Sequence, residues 1–250
     1  MDTPLLTSLL RIADGPLVLA QRLSEWCGHG PVLEEDIALT NLSLDYVGQA
    51  RLLYTRIGEL EGRGRDEDAF AYFRDVPEFL NPTLVELPNG DFGQTVLRGF
   101  FFACWQAALW EQLLASSDAT VAAIAEKSRK ETRYHVEHLG GWVVRLGDGT
   151  EESHRRMQRA LNLLAPYVAE LFEDDAADEA AHAAGLAPLP STLEAAWRER
   201  VLPVLEEATL ALPAATPFRS TGRRGIHSEH LGYLLAEMQS LARAHPGARW

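Results

Sequence analysis

Long stretches of helically spaced apolar residues, interrupted by one extended run of turn signals, constrain this chain more than any other feature. Asp14 followed by Gly15-Pro16 reads as a helix start, with a capping side chain and a proline in the first turn, and that helix runs to Gly28. Residues 34–61 read as a second helix of about 28 residues, roughly 42 Å long at 1.5 Å per residue, ending at Gly62. Residues 62–91 are polar and broken by Pro77, Pro82, Pro88 and Asn89-Gly90, so they read as a connection with one short helix at 66–73. A third helix is expected over 92–115, and Asp118 caps a fourth that runs to Leu146. After the Gly147-Asp148-Gly149 turn a fifth continues to Asp174 with a kink at Pro166. Ser191 and Glu194 form a capping-box pattern opening a sixth, which Pro203 bends or ends. The last helix covers 228–244 and stops at Pro246, while the Ala-rich acidic stretch 173–184 is the nearest approach to low complexity.

Four long helices with a long connection between the second and third describe a ferritin-like arrangement, a four-helix bundle with one crossover. The expected fold class is therefore all-α, one helical domain over 1–250 with its core bundle at about 14–174 and a C-terminal helical extension at about 190–250. The formal net charge of -13 argues against a general nucleic-acid binder, which needs clustered positive charge. The one short basic run, Arg219 to Arg224, is too small to reverse this balance. Cys27 and Cys104 match no metal-binding spacing and read as buried free thiols of a reducing cytosol. The N-terminal residues lack a signal-peptide profile, and the longest apolar stretch, near Val96 to Leu114, is interrupted by Arg98, Gln106, Glu111 and Gln112. A soluble cytoplasmic protein without a membrane span is expected.

A di-iron site in such a bundle takes a lone carboxylate from one helix of each pair and a Glu-x-x-His from its partner, because residues three apart share a helix face. On the fourth helix Val121, Ala125, Ser128, Thr132, His135, Leu139, Trp142 and Leu146 form a continuous inward stripe. Thr132 and His135 have the required spacing, but a threonine hydroxyl cannot replace a bridging carboxylate. Glu131 lies about 100° off the stripe. On the second helix Asp45 is set among Leu42, Leu44, Val47, Leu52 and Leu53, yet Gly48 stands where a histidine belongs. Glu25 shares a face with Val18, Gln21 and Arg22 and is the candidate lone carboxylate of the first helix. The third helix presents Ala103 at its inward midpoint and has Glu111 as its single acid. Glu25, Asp45 and His135 are three donors where six positions are needed. The favoured reading is that they are polar groups satisfied by one another and by Arg22, Asn41 or Gln49, not a working metal site.

The run from Thr221 to Gly232 gathers His227, Glu229 and His230, with the two histidines three apart. The structural alternative is preferred: they open a helix in which Ser228 caps and Glu229 complements the dipole. Arg223 and Arg224 could meet an anionic surface or a phosphate-bearing ligand. Phe100, Phe101, Phe102, Trp105 and Trp110 make the third helix aromatic nearly all round, which suggests an interface with another helical subunit.

Several blocks then resemble a known family. Ser24-Glu-Trp-Cys-Gly-His29, the segment from Asn41 to Arg51, Glu86-Leu-Pro-Asn-Gly-Asp91, Glu131-Thr-Arg-Tyr-His135, Gly225 to Gly232 and Ala236-Glu-Met-Gln239 are similar to the structural C subunits of bacterial phenylacetyl-CoA 1,2-epoxidases. The resemblance spans nearly the whole chain, with the blocks in order. It implies a ferritin-like chain paired with a homologous catalytic subunit that holds a di-iron centre. It further implies a reductase, carrying flavin and iron–sulfur groups, that draws electrons from NADPH for epoxidation of phenylacetyl-CoA in phenylacetate catabolism. Under it, the catalytic relative's first carboxylate corresponds to Glu25, its first Glu-x-x-His to Asp45 and Gly48, its third-helix carboxylate to Ala103, and its second Glu-x-x-His to Thr132 and His135. The expectation is a subunit that is not an enzyme by itself and holds no catalytic residue, metal or cofactor. The alternatives are an independent ferritin-like metalloenzyme using Glu25, Asp45 and His135, and an iron-binding storage protein.

Overall fold

A computed structural model describes residues 3–248 of the chain. Its elements are all helical: α1 (Thr3–Ser24), α2 (Leu33–Glu61), α3 (Glu67–Tyr72), α4 (Thr83–Glu86), α5 (Phe92–Leu113), α6 (Ala119–Gly147), α7 (Glu151–Val168), α8 (Ala176–Ala183), α9 (Glu194–Glu207) and α10 (Glu229–Ala244), with short 3-10 turns between some of them. The all-α expectation holds, and no strand occurs among the described residues. The chain divides into two compact units, residues 1–88 with 221–250, and residues 89–220. Each contributes one long helix pair, as a ferritin-like chain requires.

In the first unit α1 and α2 run antiparallel: the Ser43 hydroxyl donates to the Ala20 carbonyl at 2.8 Å and the Tyr54 hydroxyl to Asp14 at 2.5 Å. Helix α1 is already helical at Thr3, so Asp14 is not its start, and it carries Pro16 inside it. An internal proline forfeits one backbone hydrogen bond at a cost of about 3 kcal/mol. The burial of Leu9, Ile12, Ala13, Leu17, Val18, Leu19 and Ala20 offsets it. The Asp14 carboxylate is thereby freed from capping and turns into the core. Helix α2 closes on Gly62, whose φ of 71° is the left-handed cap that only glycine adopts without strain. Helix α10 returns to this unit, where the Gln239 side-chain amide donates to the Ala71 and Arg74 carbonyls at 3.0 Å each.

The second unit is organised around α5. Asp91 caps it by accepting from the Gln94 amide at 2.9 Å, and Asp118 caps α6 through the Thr120 and Val121 amides. Phe100, Phe101, Phe102, Ala103, Cys104 and Trp110 are fully buried because α6, α7 and α9 all pack on α5. The Trp197 indole donates to the Phe101 carbonyl at 2.9 Å, and the Trp105 indole to that of Leu171 at 3.1 Å. A helix that is apolar all round is a central core helix, so this aromatic set is interior and not the subunit interface its composition suggested. Burial also pushes the Cys104 thiol up, which leaves it inert, whereas Cys27 is exposed and not the buried thiol expected.

Three further boundaries depart from expectation. The Ala-rich acidic stretch forms α8, which Asp175 caps while Asp178 answers as the reciprocal member of a capping box. Ser191 does not cap α9: its amide and hydroxyl donate to the Asp174 carboxylate at 2.9 and 2.5 Å, and α9 starts from a 3-10 turn over Pro190–Leu193. The fifth helix ends at Val168 and continues as a 3-10 turn, Ala169–Phe172, just past Pro166. Among the described residues no helix is long and apolar enough to cross a membrane.

Candidate metal centre

Glu25 lies just beyond the end of α1, exposed, with its carboxylate 2.7 Å from Arg22 Nη1. It is a surface ion pair on a turn, not an inward carboxylate at mid-helix. Asp45 is half-buried on α2, and the setting expected around it divides: Leu42 and Leu53 are core, while Leu44, Val47 and Leu52 face solvent. Gly48 on α2 offers no donor, and Asn41 is exposed, so it is not a buried partner for the acids.

In the second unit the inward stripe of α6 forms as the spacing predicts. Val121, Ala125, Ser128, Thr132, His135 and Leu139 are buried, after which Gly140 and Val143 take over the core face. His135 and Thr132 are fully buried, as is Ala103 on α5. Glu131 points away from that face to Lys127, 2.9 Å distant, and Glu111 is exposed with Arg129 at 3.7 Å. Neither acid is available to α6's interior.

The ferritin-like resemblance implies a di-iron group, and the residues present do not fit it. A pair of irons needs several anionic oxygens to balance its charge. At the six corresponding positions stand a surface-paired glutamate, a half-buried aspartate, a glycine, an alanine, a threonine and one imidazole. Among the described residues no group of three or more His, Cys, Asp and Glu side chains is gathered to hold a metal ion.

The C-terminal histidines have a different task. His227 Nδ1 lies 2.7 Å from Glu86 Oε2 and its Nε2 lies 2.7 Å from the Phe79 carbonyl, with both His227 and Glu86 side chains out of solvent. The carboxylate also accepts from the Ser228 amide at 2.6 Å and the Asn81 amide at 3.0 Å. Arg22 donates to the Glu86 main-chain carbonyl through Nη2 at 2.7 Å. Glu86 therefore ties α1, α4 and the entry to α10 together. The Ser228 hydroxyl makes no capping bond; the amide does the work through Glu86 instead. Glu229 is exposed. Arg223 is buried, its carbonyl accepting from Arg11 Nε at 2.9 Å, so it is not positioned to meet a phosphate in solution.

Sequence reasoning did not single out this network or the second buried one, formed by Asp14, Tyr54 and Arg74. Its signals were present but indirect: an acidic residue within a short apolar segment (Leu84, Val85, Glu86, Leu87) and a histidine beside a helix start.

A family model described as phenylacetic acid catabolic protein matches residues 1–250. The chain is also 48% identical over 241 residues to the C subunit of the 1,2-phenylacetyl-CoA epoxidase of Escherichia coli (strain K12), a match covering 96% of this chain and 97% of that protein.

Proposed function

The chain belongs to the phenylacetic acid catabolic protein family, and from that membership we propose that it is the non-catalytic structural subunit of a phenylacetyl-CoA epoxidase. Its partner is a homologous catalytic subunit that holds the di-iron centre. Reducing power comes from NADPH through a reductase with flavin and iron–sulfur groups. This chain itself holds no metal or cofactor and carries no catalytic residue. The relative's name, that of one subunit among several in an epoxidase, supports membership of a hetero-oligomer.

One observation carries the non-catalytic reading: Gly48, Ala103 and Thr132 occupy positions where ligands are needed, and the buried His135 has no carboxylate three residues before it. No rearrangement of side chains turns a methyl group or a hydrogen into an oxygen donor. The chain's own contribution is to remain rigid, through the Glu86 and Asp14 networks and the α5 core, while the reaction occurs in its partner.

Reconstitution tests this. The chain alone should give no epoxide from phenylacetyl-CoA, and the catalytic subunit with its reductase should turn over far faster when the chain is added. Replacing His135 by Ala should leave that stimulated rate within about twofold, because a buried side chain outside the chemistry affects stability and not turnover. A loss of a hundredfold or more with the fold intact would place His135 in the chemistry and defeat the proposal.

A further inference from the structure

We propose that a cleft where α5, α6 and α9 meet binds a small ligand carrying a diphosphate group. The cleft has a volume of about 490 Å³ and lies wholly within the second unit. Arg129, Lys130 and Arg133 line it from α6 and Arg200 from α9, with Glu111 and Glu137 as its acids. Ala107 and Val136 complete the wall. Four cations thus face two carboxylates, in a chain whose overall balance is -13. Among the described residues none of the four hydrogen-bonds a carboxylate. Arg129 Nη1 stops 3.7 Å from Glu111, Lys130 Nζ 3.8 Å from Glu126, and Arg133 Nε 4.0 Å from Glu137. These separations exceed the hydrogen-bonding range of about 2.7–3.2 Å. Arg200 is half-buried and donates Nη1 to the Ala196 carbonyl at 2.7 Å, a neutral partner that leaves its charge unbalanced. Other arginines of the same unit close on acids: Arg155 and Arg156 reach Glu152 at 2.5 and 2.7 Å, and Arg198 reaches Glu194 at 2.7 Å.

Arg133 stands four residues from Arg129 and three from Lys130, so all three share one face of α6 and repel one another. An anion in the cleft relieves that repulsion and occupies the spare donors. Arginine forks pair most strongly with carboxylate and phosphate oxygens. A planar carboxylate fills one fork, whereas these donors arrive from two helices and need acceptors on several sides. Tetrahedral phosphoryl groups supply them, and two joined together match the surplus of positive charge. A long polyanion is disfavoured, because a chain of net charge -13 repels it outside the cleft.

Isothermal titration of the full chain with inorganic pyrophosphate, ADP, orthophosphate and citrate tests this, at about 0.1 M salt so that loose surface attraction is screened. Pyrophosphate and ADP should each saturate one site with Kd below about 1 mM, and orthophosphate and citrate should bind more weakly. ADP binding tighter than pyrophosphate would support a nucleotide as the source of the group, and equal binding would support the diphosphate alone. Arg129→Gln with Arg133→Gln should raise the pyrophosphate Kd at least about tenfold without shifting thermal unfolding. Arg133→Gln alone, at a side chain that is 81% exposed and so tolerant of replacement, should raise it about threefold or more. The control is Arg155→Gln with Arg156→Gln, which removes the same charge from α7 and should bind as wild type. No saturable pyrophosphate binding would overturn the proposal, as would an equal loss in the control. Citrate binding as tightly as pyrophosphate would overturn the choice of ligand.

Discussion

Replacing Asp14 by Ala should lower the unfolding free energy by about 3–5 kcal/mol, among the largest losses expected from a single truncation in the first unit. The carboxylate is fully buried and accepts from Arg74 Nη2 at 2.5 Å, Arg74 Nη1 at 3.1 Å, the Tyr54 hydroxyl at 2.5 Å and the Leu80 amide at 2.7 Å. Arg74 is itself 3% exposed and lies over the Phe79 ring at 4.1 Å from its centre. Burial and the neighbouring Asp14 charge hold the Tyr54 hydroxyl well above the usual phenol range, so it remains a donor at every physiological pH. Removing the carboxylate leaves a guanidinium charge in the core with only neutral partners, the Phe70 and Glu78 carbonyls and the Tyr54 hydroxyl. An uncompensated buried cation costs far more than the interaction it loses. Urea unfolding followed by circular dichroism measures the effect, and Asp14→Asn, which preserves two acceptor directions, should cost less. A loss below about 1 kcal/mol for Asp14→Ala would mean that water reaches Arg74.

Glu86→Ala should cost a similar amount, about 3–5 kcal/mol, and should act on the C-terminal segment in particular. The Phe79 carbonyl can only accept, so His227 Nε2 carries a proton, and a second proton lies between Nδ1 and the Glu86 carboxylate. With the carboxylate gone, His227 Nδ1 and the Ser228 amide lose this acceptor, while His227 Nε2 keeps the Phe79 carbonyl and the Asn81 amide keeps the Pro82 carbonyl. Hydrogen exchange across 229–244 should accelerate more than exchange in α5, which belongs to the other unit. Uniform acceleration throughout the chain, or none, would contradict the local role assigned to Glu86.

Helix identity was legible in the sequence wherever capping chemistry and apolar periodicity agreed. Asp118 and the α6 stripe, the Gly62 terminus of α2, and the end of α10 before Pro246 all follow their local signals. Periodicity misled where tertiary burial overrode it. Asp14-Gly15-Pro16 has the form of a helix start, but core packing carries α1 through the proline and turns Asp14 to Arg74. The aromatics of α5 were visible as a group, yet the partners that enclose them are distant. Trp105 reaches Leu171, 66 residues on, and Phe101 meets Trp197, 96 residues on, beyond the reach of any window pattern. At the candidate metal centre the residue types were legible and their burial was not. Thr132 and His135 are interior as the stripe requires, whereas Glu25 is exposed just past the end of its helix, where it pairs with the buried Arg22.

The central claim is that this chain lacks the donors for a pair of irons, and iron analysis tests it most directly. The chain and the catalytic subunit are purified separately and as a complex, each is loaded with ferrous iron and desalted, and metal is counted per polypeptide. The account predicts about two irons per catalytic subunit and none retained stoichiometrically by this chain, alone or in the complex. Two irons bound per copy of this chain, lost on His135→Ala, would contradict it.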